Sequence, residues 1–578
     1  MRLTLGLNVN HADSSACIIK DGKLLFAIEE ERINREKHWA GLPVNSIKEC
    51  LKYAEMKPED ITDVAINTNP LSNFKDKSFF FLRNYIFGKK KYEIAKRLNK
   101  KINIKKDLNN HLYPDIFSNK MKIHYIDHHI SHVASAFYPS GFKDAIGISI
   151  DGFGDFCSIS ICECKEEKIH VIKKHLFPNS LGVFYEALTQ FIGFKNYGDE
   201  YKLMGLSSLG TPIFTDLLMK NLFLDKDSFN LNLDFFNHTK NNYSYKFEGK
   251  PKQNNLYSNR LENLLKVKDL KTDDIKQIHK DIAASTQKVF EIKLFKIIEE
   301  AKKLKISENL VYAGGCALNS LANEKLYESK LFKNIFIPYA PGDGGGSIGA
   351  ALFVEKNKYK KVSVSNLTSP YLGNKYSIEY TKTVIDKLID QKNYKVNYFE
   401  NLEKLNQVLA NLLAKNKIVG NFNGRMEFGS RALGNRSILA NPCSSNIKEI
   451  INKKIKRRES FRPFAPAILQ EEKNNWFVSE KENPYMASVE KIITEKQKII
   501  PSVTHVDGSG RVQGVSKDMN KNFYDLINSF FKITKVPILL NTSFNENEPI
   551  VMTPSQAIDC FLRTEMDVLS INNFLIIR

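Results

Sequence analysis

A short pattern of apolar runs and polar turns occurs twice in the N-terminal half of this chain. Leu3 to Asn8 is an apolar run, Ser14 to Lys20 follows, Asp21-Gly22 makes a turn, and Leu24 to Ile28 is apolar again. Ala145 to Ile150, closed by Asp151-Gly152, then Cys157 to Cys164, the charged turn Lys165 to Lys168, and Ile169 to Ile172 repeat the arrangement. Apolar runs of this length bounded by turn residues read as strands. Met twice, the unit predicts a duplicated nucleotide-binding fold, in which each half offers a strand-end turn to phosphates.

Further along, Ile275, Ile278, Ile282, Val289, Ile292, Ile297 and Ile298 fall mostly at three- and four-residue steps and predict a helix from Asp273 to Lys305. It leads into a strand, Leu310 to Ala313, and a Gly-Gly turn. The polar, weakly periodic stretch from Thr211 to Thr272 reads as an insertion with no assignable role. Charged and turn-rich residues between Val354 and Leu372 predict a connector. After it, helix (Ser377 to Asp390), strand (Val396 to Phe399), helix (Leu402 to Lys415) and strand (Ile418 to Phe422) alternate, which predicts a second α/β domain.

Composition narrows the class. With 578 residues, 42% hydrophobic and 26% charged, the chain is too long and too apolar for wholesale disorder. Its eight cysteines include no C-x-x-C and read as reduced, packed thiols. Cys162 and Cys164 are expected on one strand face. No run of about 18 apolar residues and no signal-peptide core occurs, so a cytoplasmic protein is expected.

Five local motifs carry chemistry. In Asp127-His128-His129-Ile130-Ser131-His132, a helix puts His128 and His132 on one face, where both imidazoles can meet one metal; His129 with His132 is the alternative, and hydrogen-bonded core histidines the structural one. Pro341-Gly342-Asp343-Gly344-Gly345-Gly346 follows an apolar strand, Ile335 to Pro338, and opens an Ala-rich helix. Such a turn either admits phosphate to backbone N–H groups or only lets strand and helix pack closely. Asp343 inside it can bind a metal bridging those phosphates, and Gly314-Gly315 is a second turn of the kind. Asp151, at the end of an apolar strand, is placed for a metal or a phosphate. In the C-terminal half, Arg425, Arg431, Arg436, Lys456, Arg457, Arg458 and Arg462 alternate with Gly, Phe and Pro turns. Guanidinium forks held in ordered loops suit a concave pocket for a small anion better than an open nucleic-acid stripe.

The formal net charge is +20, from 85 Lys+Arg against 65 Asp+Glu. Half of that excess lies between Lys75 and Lys106, a run that reads as a solvated helical insertion, with an anionic surface as the functional alternative.

Taken together, these segments resemble the carbamoyltransferases of the nodulation-protein and tobramycin type, relatives of the enzymes that make threonylcarbamoyl tRNA. The resemblance runs nearly end to end, through His11-Ala12-Asp13-Ser14, Glu29-Glu30-Glu31-Arg32 to Lys37-His38-Trp39, the histidine cluster, Asp151-Gly152-Phe153-Gly154, Tyr201-Lys202-Leu203-Met204-Gly205, the glycine turns, the arginines and Asn541-Thr542-Ser543-Phe544-Asn545. It implies a duplicated actin-like ATPase (TsaD-like) domain over 1–360 and a YrdC-like carbamoyl-adenylating α/β domain over 370–578. It implies an ATP-dependent O-carbamoyltransferase that turns carbamoyl phosphate into carbamoyl adenylate and passes the carbamoyl group to a hydroxyl of a sugar or other small molecule. The alternatives are a tRNA-modifying enzyme of the threonylcarbamoyl type and a non-catalytic ATP-binding regulator. By resemblance His128, His132 and Asp343, with Asp151, hold a divalent metal, Fe(II); Mg accompanies ATP. His11 and Lys37 join Asp151 near the transfer centre, His11 as base. Asn319, Gly314, Gly315, Gly344, Lys456 and Arg511 are expected on nucleotide, and Arg431, Arg462 and Ser543 on carbamoyl phosphate. No nucleic-acid partner is expected, and a homodimer is the candidate assembly. Ser207-Ser208-Leu209 and Ser430 depart from the family pattern.

Overall fold

The computed structural model describes residues 1–85, 104–112, 121–225, 229–239, 248–252, 254–268, 270, 272, 274–359 and 367–578. Most of the basic run between Lys75 and Lys106, and 360–366 of the connector, lie outside them. The chain divides into two compact units, Met1–Leu318 with Leu326–Thr368, and Asn319–Lys325 with Ser369–Arg578.

The first unit holds two five-stranded mixed sheets. In one the order is Lys23–Glu29, Ser15–Lys20, Leu3–Asn8, Asp63–Ile66, Lys122–Tyr125; in the other it is Lys168–Leu176, Cys157–Lys165, Asp144–Gly154, Asn309–Ala313, Asn334–Phe336. In both, the first three strands are antiparallel neighbours and the last two join in parallel. The six-residue run Leu3–Asn8 is buried throughout, as a central strand covered on both faces must be. Cys162 and Cys164 both point inward and are fully buried.

Two helices pack between these strands and carry the site. Helix His128–Ser140 starts at Asp127, whose side chain accepts from the backbone N–H of His129 and Ile130. Helix Gly346–Val354 is apolar on nearly every side and buried accordingly. At Gly349 an added Cβ would lie 1.8 Å from the Ser131 carbonyl oxygen, so the glycine lets the two helix backbones touch.

The long periodic segment is helix Gln277–Lys303. The stretch from Thr211 to Thr272 is not featureless: it contains helices Thr215–Leu222 and Asn259–Leu265, and buries Leu218, Leu222, Phe223, Leu231, Phe236 and Leu256. Each element is too short to show a period in the sequence.

The second unit is built on one eight-stranded sheet in the order Lys395–Tyr398, Phe574–Ile577, Val568–Ile571, Val419–Phe422, Arg436–Ala440, Ile538–Ser543, Ala465–Leu469, Gln513–Val515. Helices Ile378–Leu388, Leu402–Ala414, Lys521–Thr534 and Pro554–Arg563 belong to it. A single apolar core runs through the unit, from Ile385 and Leu405 to Phe561 and Ile576.

Candidate active site

In the first unit, four side chains converge. His128 and His132 lie one helical turn apart, with Nε2 atoms 3.0 Å from each other. Asp151, in strand Asp144–Gly154, brings Oδ2 to 2.9 Å from His132 Nε2 and 3.5 Å from His128 Nε2. Asp343, in the glycine turn, places Oδ1 3.4 Å from both. The four donor atoms all lie within 4.8 Å of one another, and both histidines are at most 1% exposed. Burial alone would hold the imidazoles neutral; Asp151 and then Asp343 reverse this, pushing His128 up to about 10 and His132 upward too. Two imidazoles and two carboxylates converging on one point fit a divalent transition metal.

The surroundings fix this geometry. Asp155 accepts from His128 N at 3.0 Å, Asn69 N at 2.7 Å and Thr68 Oγ1 at 2.7 Å. It thereby ties helix His128–Ser140 to the first sheet and adds a negative charge at the helix N-terminus. His129 faces away: its ring nitrogens meet Ser149 Oγ at 2.9 Å and the Cys157 carbonyl at 3.0 Å, and burial pushes its pKa down to about 4. The pairing of His129 with His132 is therefore not the one the helix makes. Gly315 abuts Asp151: a Cβ there would stand 2.8 Å from Oδ1.

Gly154 leaves room for the His128 imidazole. A Cβ at that position would come within 1.9 Å of the His128 ring. Gly154→Ala is expected to displace His128 and to destabilise the unit by about 1–3 kcal/mol, as overpacking does. Thermal melting and metal content of the purified variant check this, with bound metal falling well below that of the wild type.

His11 joins the group, its ring 4.6 Å from that of His128 and its Nδ1 4.0 Å from Asp343 Oδ2. Lys37 lies by Glu31, whose carboxyl is held low against its burial chiefly by Arg32 and His38, with Lys37 adding to the effect. Gly344 is not crowded, since a Cβ there meets only ordinary contacts at 3.6 Å and beyond. Asn319, assigned to the second unit, accepts from Ala322 N at 3.0 Å and so caps helix Ser320–Glu328.

The second unit gathers two sets of charges. Lys456 follows the π-turn Ile451–Ile455 and is 1% exposed. Its Nζ donates to Asn545 Oδ1 at 2.6 Å, the Asn545 carbonyl at 2.8 Å, and Ser543 Oγ at 3.3 Å. Ser543 Oγ donates to Asn545 Oδ1 at 2.7 Å. Asn545 is thus a full member of this cluster that the sequence reading left out, although it stands two residues after Ser543.

The second set is cationic throughout. Burial, then Arg431 and Arg458, hold Arg511 well below its ordinary value, and burial pushes Arg431 down to about 10. The Arg511 Nε has no hydrogen-bond partner among the described residues. An anion bound among like charges of this kind would offset their effect on one another. Asn452 steadies the loop, accepting from Arg458 Nε at 2.8 Å and donating to the Arg462 carbonyl at 3.3 Å. Arg462 itself is paired with Glu459 at 2.7 Å.

Other arginines of the C-terminal motif have structural work, contrary to the view of the whole run as anion-capturing. Arg436 is fully buried, donates to the carbonyls of Asn423 and Asn435, and lies 3.7 Å over the Phe422 ring. Arg425 donates to the Gly373 carbonyl at 3.1 Å, and Arg457 pairs with Glu546. No helix among the described residues is long and apolar enough to cross a membrane.

An α/β chain with a His-His-Asp-Asp centre in one unit and, in the other, a buried lysine and arginines that bear on one another is furnished for a reaction on an anionic substrate. Its relatives say which class. The family model for the carbamoyltransferase N-terminus matches residues 3–352, and that for the carbamoyltransferase C-terminus matches residues 410–578. The chain belongs to the carbamoyltransferase family and is an enzyme of that class, which sets aside the non-catalytic reading. It is 33% identical to nodulation protein NolNO of Sinorhizobium fredii (strain NBRC 101917 / NGR234), over 98% of this chain and 78% of that one. It is 34% identical to the uncharacterized protein sll1178 of Synechocystis, over 99% and 96% of the two chains. It is 32% identical to the uncharacterized protein MJ1051 of Methanocaldococcus jannaschii, over 99% of each.

Proposed function

We propose that this carbamoyltransferase is ATP-dependent: in a YrdC-like domain, 370–578, water cleaves carbamoyl phosphate to carbamate and phosphate, the carbamate oxygen attacks the α-phosphate of ATP to give carbamoyl adenylate and release pyrophosphate, and in a duplicated actin-like domain, 1–360, the carbamoyl group passes to a hydroxyl of a sugar or other small molecule. The reading is supported by the positive charge that Arg431 and Arg458 bring to bear on Arg511, which the phosphates of these two substrates would offset. Lys456, held against Ser543 and Asn545, supplies a further fixed positive charge, and Arg462 lies on the same loop. Gly314, Gly315, Gly344 and Asn319 are the nucleotide contacts in this reading.

In the transfer domain His128, His132, Asp151 and Asp343 would hold the metal, Fe(II), whose chemistry is that of a Lewis acid toward the carbamoyl carbonyl. His11 takes the proton of the acceptor hydroxyl, and Lys37 offers a positive charge to the developing oxyanion. The acceptor oxygen bonds to the carbamoyl carbon as the bond from that carbon to the adenylate oxygen breaks, and AMP leaves. The protein acts in the cytoplasm, without nucleic acid, as a homodimer.

Purified protein with Mg, ATP and carbamoyl phosphate is expected to release pyrophosphate and form carbamoyl adenylate, detected by mass, with no acceptor and no tRNA present. Pyrophosphate release independent of carbamoyl phosphate, or none at all, would contradict the reading.

A further inference from the structure

We propose that Asp13 and His38 form a positioning pair that fixes Lys37 beside His11 at the transfer centre; the inference rests on the transfer role given above to the N-terminal unit. His11 and Asp13 share the loop between strands Leu3–Asn8 and Ser15–Lys20, and Lys37 and His38 share the segment after helix Glu31–Asn34. The two segments are bound backbone to backbone by Asn10 N to the Gly41 carbonyl at 3.0 Å and Ser14 N to the Trp39 carbonyl at 2.9 Å. Ser14 Oγ strengthens the junction, accepting from Gly41 N and donating to the Gly41 carbonyl, both at 3.0 Å.

One side-chain bond ties the two segments next to the catalytic candidates. His38 Nδ1 lies 2.8 Å from Asp13 Oδ1, and His38 N donates to Glu31 Oε2 at 2.8 Å. Each partner stands next to or two residues from the residue it would hold: Asp13 follows His11, and His38 follows Lys37. Asp13 and His38 both take left-handed backbone conformations, φ 53° and 57°, which non-glycine residues adopt at a cost that the surrounding bonds must offset. Asp13 also reaches the metal centre, since its carbonyl oxygen would be 3.6 Å from a Cβ on Gly344, the neighbour of Asp343.

A second cation site is the competing use of these groups, because donor atoms of Asp13, Glu31 and His38 lie within 4.8 Å of one another. Arg32 argues against it: its Nη1 already binds Glu31 Oε1 at 2.6 Å, so the positive charge is in place. The charged and ring groups facing His38 are Asp13, Glu31 and Glu200, with Tyr197 edge-on at 5.5 Å. Burial opposes a charge on His38, but Asp13, then Glu31 and Glu200, outweigh it and raise its pKa.

Competitive labelling with acetic anhydride, read by peptide mass spectrometry on the full-length protein, reports the exposure and basicity of Lys37. Asp13→Asn, which keeps the side-chain shape, and His38→Ala are expected to change the Lys37 rate about fivefold, the effect of losing one charged hydrogen bond. His38→Asn, whose amide nitrogen stands in for Nδ1, is expected to restore it. Histidine NMR titration should show the His38 pKa falling in Asp13→Asn. A Lys37 rate and a His38 titration unchanged in Asp13→Asn, with the melting temperature preserved, would overturn the inference. Failure of carbamoyl-phosphate-dependent pyrophosphate release in the wild type would instead overturn the reading beneath it.

Discussion

Lys456→Ala is expected to lower carbamoyl-phosphate-dependent pyrophosphate release by at least ~100-fold, the scale of losing one preorganised charge in a buried site. The side chain is 1% exposed and its ammonium is aimed by Ser543 and Asn545. Removing it deletes a positive charge and leaves the oxygens that held it without their donor. Part of the loss is then conformational, because those oxygens were fixed by the same bonds. Lys456→Arg separates the two effects. It keeps the charge but not the compact three-donor geometry, and a planar fork cannot reproduce contacts to Ser543 and Asn545 at once. Its activity is expected to stay close to that of alanine. A steady-state pyrophosphate assay on both variants checks this, with thermal melting to confirm that they fold.

The second large effect belongs to the other unit. His132→Ala is expected to lose bound metal and to reduce carbamoyl transfer by at least ~100-fold, more than loss of an outer-shell partner costs, while adenylate formation continues. His132 makes the shortest ion pair of the group, 2.9 Å to Asp151 Oδ2, and its removal leaves three donors. The carboxylates are then buried beside one imidazole in place of two, so the variant should also melt at a lower temperature. Metal analysis and pyrophosphate release measured on the same preparation separate loss of the centre from loss of the fold.

How much of this was open to reading in the chain itself varies with the kind of signal. His128 and His132 are visible because a four-residue step on a helix has one geometric meaning, and Leu3–Asn8 because a short run bounded by turn residues, with leucine at every second position, reads as a strand. Asp151 and Asp343 are far apart in sequence, 2.9 to 3.5 Å from the imidazoles in space, and only a strand order and a turn bring them there. Asp155 is a hub for Thr68, Asn69 and His128, partners that no local pattern links. The arginines were the hardest to sort. Arg436 and Arg431 stand in one motif, yet one binds loop carbonyls and the other adds positive charge near Arg511, because the direction of a long side chain is set by packing and not by its neighbours in sequence. The elements between Thr211 and Thr272 were unreadable because each is a few residues long and buries only two or three side chains.

The most direct test of the two-step account is a rapid-quench experiment on His132→Ala, mixing the protein with Mg, carbamoyl phosphate and ATP labelled in the α-phosphate. Carbamoyl adenylate is predicted to accumulate on the enzyme in an amount close to that of the active sites. If His132→Ala forms no adenylate while the wild type does, activation and transfer do not reside in separate sites, and the account is contradicted.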